Sequence, residues 1–304
     1  MSADPVWKLA AFAPRRIIEA ALIAHEDAFD WDPDIVIAGS EIAEDQPDDW
    51  QLEAWLPRRP RPADRRALDA LFVQPPGWVE ERLPDTDWLT SSQQYLEPVR
   101  AGAFHVRTPD HPACSEPGVR SFVIPASQAF GTGQHATTAS CLAMLTAMKS
   151  SGMIVRNAAD IGTGTGLLAF AALALWPRAL ATASDIDNVC AHVIAENARL
   201  NAVRLGGRAG EVAVTIAPGL DHPLLEARGP YDLVIANILA GPLVELMPDF
   251  ARSTASGGSL LLAGLLTTQE AAVRKSAIRH GFRVAQRIVR GDWSILWLRR
   301  RSAR

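Results

Sequence analysis

The residues best suited to chemistry lie in the middle of the chain. Asp160-Ile161-Gly162-Thr163-Gly164-Thr165-Gly166 sits between a short apolar segment, Ala158 to Ile161, and a longer one, Gly166 to Trp176. Glycines in such a place let the backbone turn tightly from strand to helix and pass close to a ligand. A dinucleotide site spaces its glycines GxGxxG, so that a helix N-terminus meets a pyrophosphate. Here the spacing is GxGxG, with an acid ahead of it. S-adenosylmethionine has no phosphate but carries an ammonium group, for which Asp160 is a suitable carboxylate.

Ser184-Asp185-Ile186-Asp187 follows about twenty residues on, at the end of the next strand signal, where a carboxylate can accept both ribose hydroxyls of a nucleoside. Asp185 ends that strand, whereas Asp187 is placed to cap the helix after it. By themselves these two motifs serve a methyltransferase or a nicotinamide enzyme. In Asp232-Leu233-Val234-Ile235-Ala236-Asn237, a strand rich in β-branched residues ends in an amide. Ligands of doubly wound sheets lie beyond the carboxyl ends of the strands, so Asn237 falls at the reactive end of the ligand. The same residue is also a good helix N-cap. Ahead of the sheet, Phe130-Gly131-Thr132-Gly133-Gln134-His135-Ala136-Thr137-Thr138 is a polar loop feeding a helix, which suits a ligand lid.

Regularly alternating elements must hold these residues. Strands are expected at 158–161, 181–184, 212–216, 233–236 and 259–263, with helices at 166–176 and 188–200, the latter presenting Val189, Val193 and Leu200 on one face. A terminal antiparallel hairpin is expected over 282–298. That order implies a doubly wound, mostly parallel sheet. The first 84 residues read as strand, helix, two strands, helix and strand, a ferredoxin-like α+β pattern, with helices at 14–29 and 64–72. Residues 85–118, rich in proline and polar residues, read as a linker with few core contacts, bending at points such as Gly102.

Composition sets the outer limits. The chain has 304 residues, 48% hydrophobic and 21% charged, enough for two domains with real cores. Its net charge of −4 disfavours a duplex-binding role, so no direct nucleic-acid binding is expected. Cys114, Cys141 and Cys190 form no CxxC pair and no metal-ligand cluster, and they read as reduced thiols. No signal peptide or membrane-length apolar segment is evident, so a cytoplasmic location with no metal and no membrane contact is expected.

In order and spacing, FGTGQHATT, DIGTGTG, SDID and ANILAGPL resemble the ribosomal protein L11 methyltransferase (PrmA) family. The resemblance is close from about Ser121 onward and weak before it. It implies a Rossmann-like, class I S-adenosylmethionine-dependent methyltransferase domain over 119–304 and a substrate-recognition domain over 1–84. It also implies methylation of lysine side chains and the N-terminal amine of ribosomal protein L11. Thr138, Gly162, Asp185 and Asn237 fall on the family's cofactor positions; Asp160 and Gly164 join them from the reading of the glycine run. Gln134 and Ala136 stand where the family often has Thr and Pro, and Thr163 where it often has Cys. Ile238 and Leu239 after Asn237 depart from the Asn-Pro-Pro-Tyr type motif of enzymes that methylate a flat amide or base. Asn237 is therefore expected to hold the acceptor amine, with no dedicated catalytic base; His135 is a lesser candidate for proton relay. The alternatives are another protein-lysine or small-molecule methyltransferase on the same scaffold, or a nucleotide-binding oxidoreductase or non-catalytic binding module.

Overall fold

The computed structural model describes residues 7–26, 31–32, 34–42, 48–82, 98–125 and 135–302; of Ile23, Glu26 and His135 only the backbone is described. The chain divides into two compact units, 1–90 and 91–304.

The first unit contains β1 (Trp7–Pro14), α1 (Arg15–Glu26), β2 (Val36–Glu41), β3 (Asp49–Leu56), α2 (Pro62–Asp69) and β4 (Trp78–Arg82). The sheet order is β2-β3-β1-β4, antiparallel throughout, as the expected ferredoxin-like pattern requires. Alternation carries β3, where Leu52, Ala54 and Leu56 are buried and the residues between them face outward. From α1, Ile18 and Ala21 complete the core. Helix α2 begins at Pro62, two residues before the expected Asp64. Proline at the first helical position loses no hydrogen bond, and Asp64 Oδ2 then accepts the Arg61 N–H at 2.8 Å. Arg58 joins this carboxylate (2.9 Å) to Asp32 (2.6 Å).

The second unit begins inside the stretch expected to be a linker. Strands β5 (Val99–Ala101), β6 (Phe104–Arg107) and β7 (Arg120–Val123) form a three-stranded sheet, with β5 and β6 antiparallel and β6 and β7 parallel. Ala101, Phe104, Val106 and Phe122 are core residues, and the rings of Phe104 and Phe122 stack at 5.9 Å. The expectation of few core contacts fails from Val99 onward; residues 83–97 lie outside the described residues. Each strand is only three or four residues long, too short for its alternation to stand out from the prolines around it. Gly102 is no hinge. Its φ is +58°, and a Cβ there would fall on the Thr146 hydroxyl, which itself accepts the Ala103 N–H at 3.0 Å.

Next come α3 (His135–Ser150), β8 (Asn157–Ile161), α4 (Leu167–Leu175), β9 (Leu180–Asp185), α5 (Val189–Leu200), β10 (Val212–Ile216), α6 (Pro223–Arg228) and β11 (Tyr231–Asn237). They are followed by α7 (Ala240–Glu245), α8 (Met247–Ser253), β12 (Thr254–Leu266), α9 (Glu270–Arg279), β13 (Phe282–Arg290) and β14 (Trp293–Arg300). The seven-stranded sheet has the order β10-β9-β8-β11-β12-β14-β13, parallel except for β14. This is the expected doubly wound sheet with its terminal antiparallel hairpin. Consecutive strands run outward from β8 to one side and, after β10, restart at β11 on the other. The crevice between β8 and β11 is therefore the topological switch point, where such sheets take ligands. Both strands are covered on both faces, which is why they read as nearly continuous apolar runs.

Helix α5 corrects the expected stripe. Val189 is 61% exposed and Leu200 is 39% exposed, while Ile194, Asn197 and Ala198 face inward. The polar residues on that face have backbone partners. Asn197 donates to the Thr165 carbonyl at 3.0 Å, and Asn201, just beyond the helix, pairs with both the N–H and the carbonyl of Val123, each at 2.7 Å.

Gly102→Ala should lower stability by about 2–4 kcal/mol, combining left-handed strain with a clash against α3. Gly118→Ala has a similar φ, +79°, but open space around its Cβ; it should cost only about 1–2 kcal/mol. Denaturant midpoints of the two variants check this, and equal losses would show that Gly102 is not packed.

Candidate functional site

The glycine run folds over the carboxyl ends of β8 and β9. Gly162, Gly164 and Gly166 have φ values of +70°, +54° and +84°, which L side chains rarely adopt. The turn is tied to β9, since the Gly162 and Thr163 N–H groups donate to the Ser184 carbonyl at 2.8 and 3.0 Å. Asp185 ends β9. Its Oδ2 accepts the Gly164 N–H at 2.8 Å and its Oδ1 the Asp187 N–H at 3.1 Å. Asp187 accepts the Val189 N–H at 2.9 Å, so it caps the start of α5. The Cys190 thiol also lies against Asp185; burial first, then the Asp185 charge, pushes it up to about 11, so it stays protonated.

Asp160 is 1% exposed. Its Oδ2 accepts the Thr163 hydroxyl at 2.6 Å and the Ala169 N–H at 3.0 Å. Its Oδ1 is buried and has no partner among the described residues. Burial pushes this carboxyl up to about 7, with the Asp185 charge adding to the shift and the two donors opposing it. This oxygen has room for a hydrogen-bond donor that the described residues do not supply.

Asn237 ends β11, beside β8, and its Nδ2 donates to the Thr138 Oγ1 in the first turn of α3 at 3.4 Å. Leu239, not Asn237, occupies the N-cap of α7, so the amide is not used as a cap. The chain after Asn237 is wedged between two glycines. A Cβ on Gly162 would fall on Ile238 Cγ2, and one on Gly264 would fall on the Ile238 carbonyl oxygen and 2.8 Å from its carbon. Gly264 has a φ of +81° and interrupts the apolar run of β12. The sequence reading missed it, although a lone glycine within a strand is the usual mark of close backbone approach.

The six residues expected to bind a cofactor thus gather at the carboxyl ends of the central strands. Asp160, Gly162 and Gly164 come from the turn after β8, Asp185 from β9, Asn237 from β11 and Thr138 from α3. The loop Phe130–Gln134 and the His135 side chain lie outside the described residues. Among the described residues no cluster of three or more His, Cys, Asp or Glu could hold a metal, and no helix is long and apolar enough to cross a membrane. A cavity of about 780 Å³ lies by the amino ends of β11 and β12, where His222, Pro230 and Thr254 line it, and includes none of the six.

Known proteins match this arrangement. The family described as ribosomal protein L11 methyltransferase (PrmA) matches residues 64–301. The ribosomal protein L11 methyltransferase of Agrobacterium fabrum (strain C58) is 37% identical over 270 residues, covering 88% of this chain and 90% of the relative. That of Rhizobium meliloti (strain 1021) is 37% identical over 286 residues, covering 92% and 95%. The solved structure of ribosomal protein L11 methylase from Lactobacillus delbrueckii subsp. bulgaricus superposes with a TM-score of 0.54 at 25% identity, over 68% of this chain and 99% of that one. With a family match over most of its length and relatives 37% identical across nearly their whole length, the chain belongs to the ribosomal protein L11 methyltransferase (PrmA) family.

Proposed function

We propose that this methyltransferase uses S-adenosylmethionine to methylate lysine side-chain and N-terminal amines of ribosomal protein L11. The observation that carries the cofactor assignment is the unpartnered, buried Oδ1 of Asp160 beside the glycine turn. An aminoacyl ammonium fits it in charge and donor capacity and would pull the carboxyl back toward its ordinary range. Asp185 suits the ribose. Each of its oxygens accepts one backbone N–H and keeps a lone pair for a hydroxyl. Gly164, with open space where a Cβ would stand, leaves the backbone open to close approach, while Gly162 makes room for Ile238 beneath the turn. When bound, S-adenosylmethionine supplies a methyl group on a cationic sulfonium, a carbon already activated for displacement.

The protein's task is then to present a neutral amine in line with that carbon. Lysine has a pKa of about 10.4, so roughly one in 2,500 is neutral at pH 7. Asn237, fixed by Thr138 and by the Ile238 wedge, offers its amide oxygen to an amine N–H. Leu239 beside it is 72% exposed and offers an apolar rim for the lysine stem. Drying that rim lowers the amine pKa without a strong base. Alignment contributes several kcal/mol, on the order of the effect of proximity in other enzymes. The first unit, which carries none of the six cofactor positions, serves in this reading to dock the substrate protein.

The direct test is incubation with labelled S-adenosylmethionine and purified L11, read by mass spectrometry. Label on lysine and N-terminal amines is expected; transfer to small molecules alone would contradict the substrate assignment. Asp185→Ala should weaken S-adenosylmethionine binding about ten- to a hundredfold through lost charge-assisted hydrogen bonds, with the fold retained. Calorimetric titration measures this, and unchanged affinity would remove Asp185 from the site.

Asp160 also makes stability depend on pH in the ligand-free protein. The folded state holds its proton up to about 7, whereas the unfolded chain releases it near the ordinary aspartate value of 3.8. The unfolded state therefore binds fewer protons between these values, and this residue's contribution to stability falls as pH rises through that window. Asp160→Asn should remove that decline. Urea unfolding at several pH values checks it, and identical slopes for the two proteins would be the contrary result.

A further inference from the structure

We infer that the far edge of the seven-stranded sheet binds the phosphate backbone of RNA. The inference is independent of the methyl-transfer reading and rests on a segregation of charge. The whole chain carries a net charge of −4, yet residues 270–304 contain ten lysines and arginines against two acids, Glu270 and Asp292. Residues 270–300 of this segment form α9, β13 and β14, with β13 as the sheet's outermost strand. The whole-chain charge, which argued against nucleic acid, averages over this surface.

The positive charge is not neutralised locally. Glu270 is shared by Arg274 at 3.2 Å and Arg287 at 2.6 Å. Lys275, Arg279, Arg283, Arg290 and Arg301 are exposed and make no hydrogen bond or ion pair through their side chains among the described residues. Arg283 lies directly opposite Arg299 on the neighbouring strand. Like charges in that position repel and destabilise the pair, and an anion lying between them removes the penalty.

Edge strands often carry charge simply to prevent pairing with another sheet. That role does not account for this surface. A register shift between Val284 and Gln286 already disrupts the edge, and Lys275, Arg279 and Arg301 lie off the edge strand. The same irregularity disfavours an acidic peptide adding as a further strand. Nine of the ten cations are arginine, whose planar fork engages two phosphate oxygens at once and stacks on bases. From Arg283 to Arg290 the strand runs alongside Arg299 to Trp293, about 20 Å at roughly 3.3 Å per residue, long enough for several phosphates.

Fluorescence anisotropy with the full chain and a labelled oligouridylate of about 20 nucleotides tests the proposal. With about five phosphates engaged, affinity should fall about a hundredfold between roughly 50 and 200 mM salt. The double variant Arg283→Glu, Arg290→Glu should bind at least about tenfold more weakly, with a shallower salt dependence, a melting temperature no lower than the parent's and unchanged S-adenosylmethionine affinity. The control pair Arg204→Glu, Arg208→Glu, on exposed residues outside this segment, should bind as the parent does. Absence of binding at the lower salt, an equal loss in the control pair, or displacement of the RNA by poly-L-glutamate at equal charge concentration would each overturn the assignment, the last in favour of an acidic protein partner.

Discussion

The candidate site is organised around one costly arrangement, a carboxylate withdrawn from water with one of its oxygens left unpaired. Burial of an ionised group without partners is among the least favourable events in folding, and the usual response is protonation. Asp160 follows that rule in the ligand-free state. Its Oδ2 is held by the Thr163 hydroxyl and the Ala169 N–H, which fixes the side chain's direction and leaves Oδ1 as the open valence. A turn without left-handed glycines could not bring Thr163 and the start of α4 around the same carboxylate. The glycine spacing and the acid ahead of it thus form one device.

The sheet supplies the rest by topology. The strand order reverses between β8 and β11, and Asp160, Asp185 and Asn237 stand at or next to the carboxyl ends of β8, β9 and β11, where sheets of this kind take ligands. The segment after Asn237 is set by close approach. Gly162 and Gly264 admit Ile238 between them, so the backbone after Asn237 is located by two absent side chains, one in the turn after β8 and one within β12. A substitution at either glycine would move the amide without touching it.

Much of this was legible in the sequence because it is local. The glycine run with its acid, Asp185 at a strand end, Asp187 as a cap and Asn237 after a β-branched run are each specified within a few residues, and each stands where the pattern put it. The failures are non-local. Gly264 shows its purpose only when β12 lies beside β11. The inward face of α5 uses Asn197, with Asn201 just beyond, to serve backbone groups of other segments, which no apolar periodicity records. Strands β5 and β6 were hidden in a proline-rich stretch because their order comes from packing on α3 rather than from propensity. The charge of the far edge was hidden by averaging over a chain whose first 90 residues are strongly acidic.

In the proposed complex the open oxygen of Asp160 receives the ammonium of S-adenosylmethionine. Calorimetric titration in buffers of different ionisation enthalpy measures it most directly, because it counts protons moved on binding. At a pH about one unit below the ligand-free Asp160 value, binding should release close to one proton from the parent protein and none from Asp160→Asn. Equal proton release by the two proteins would contradict the account.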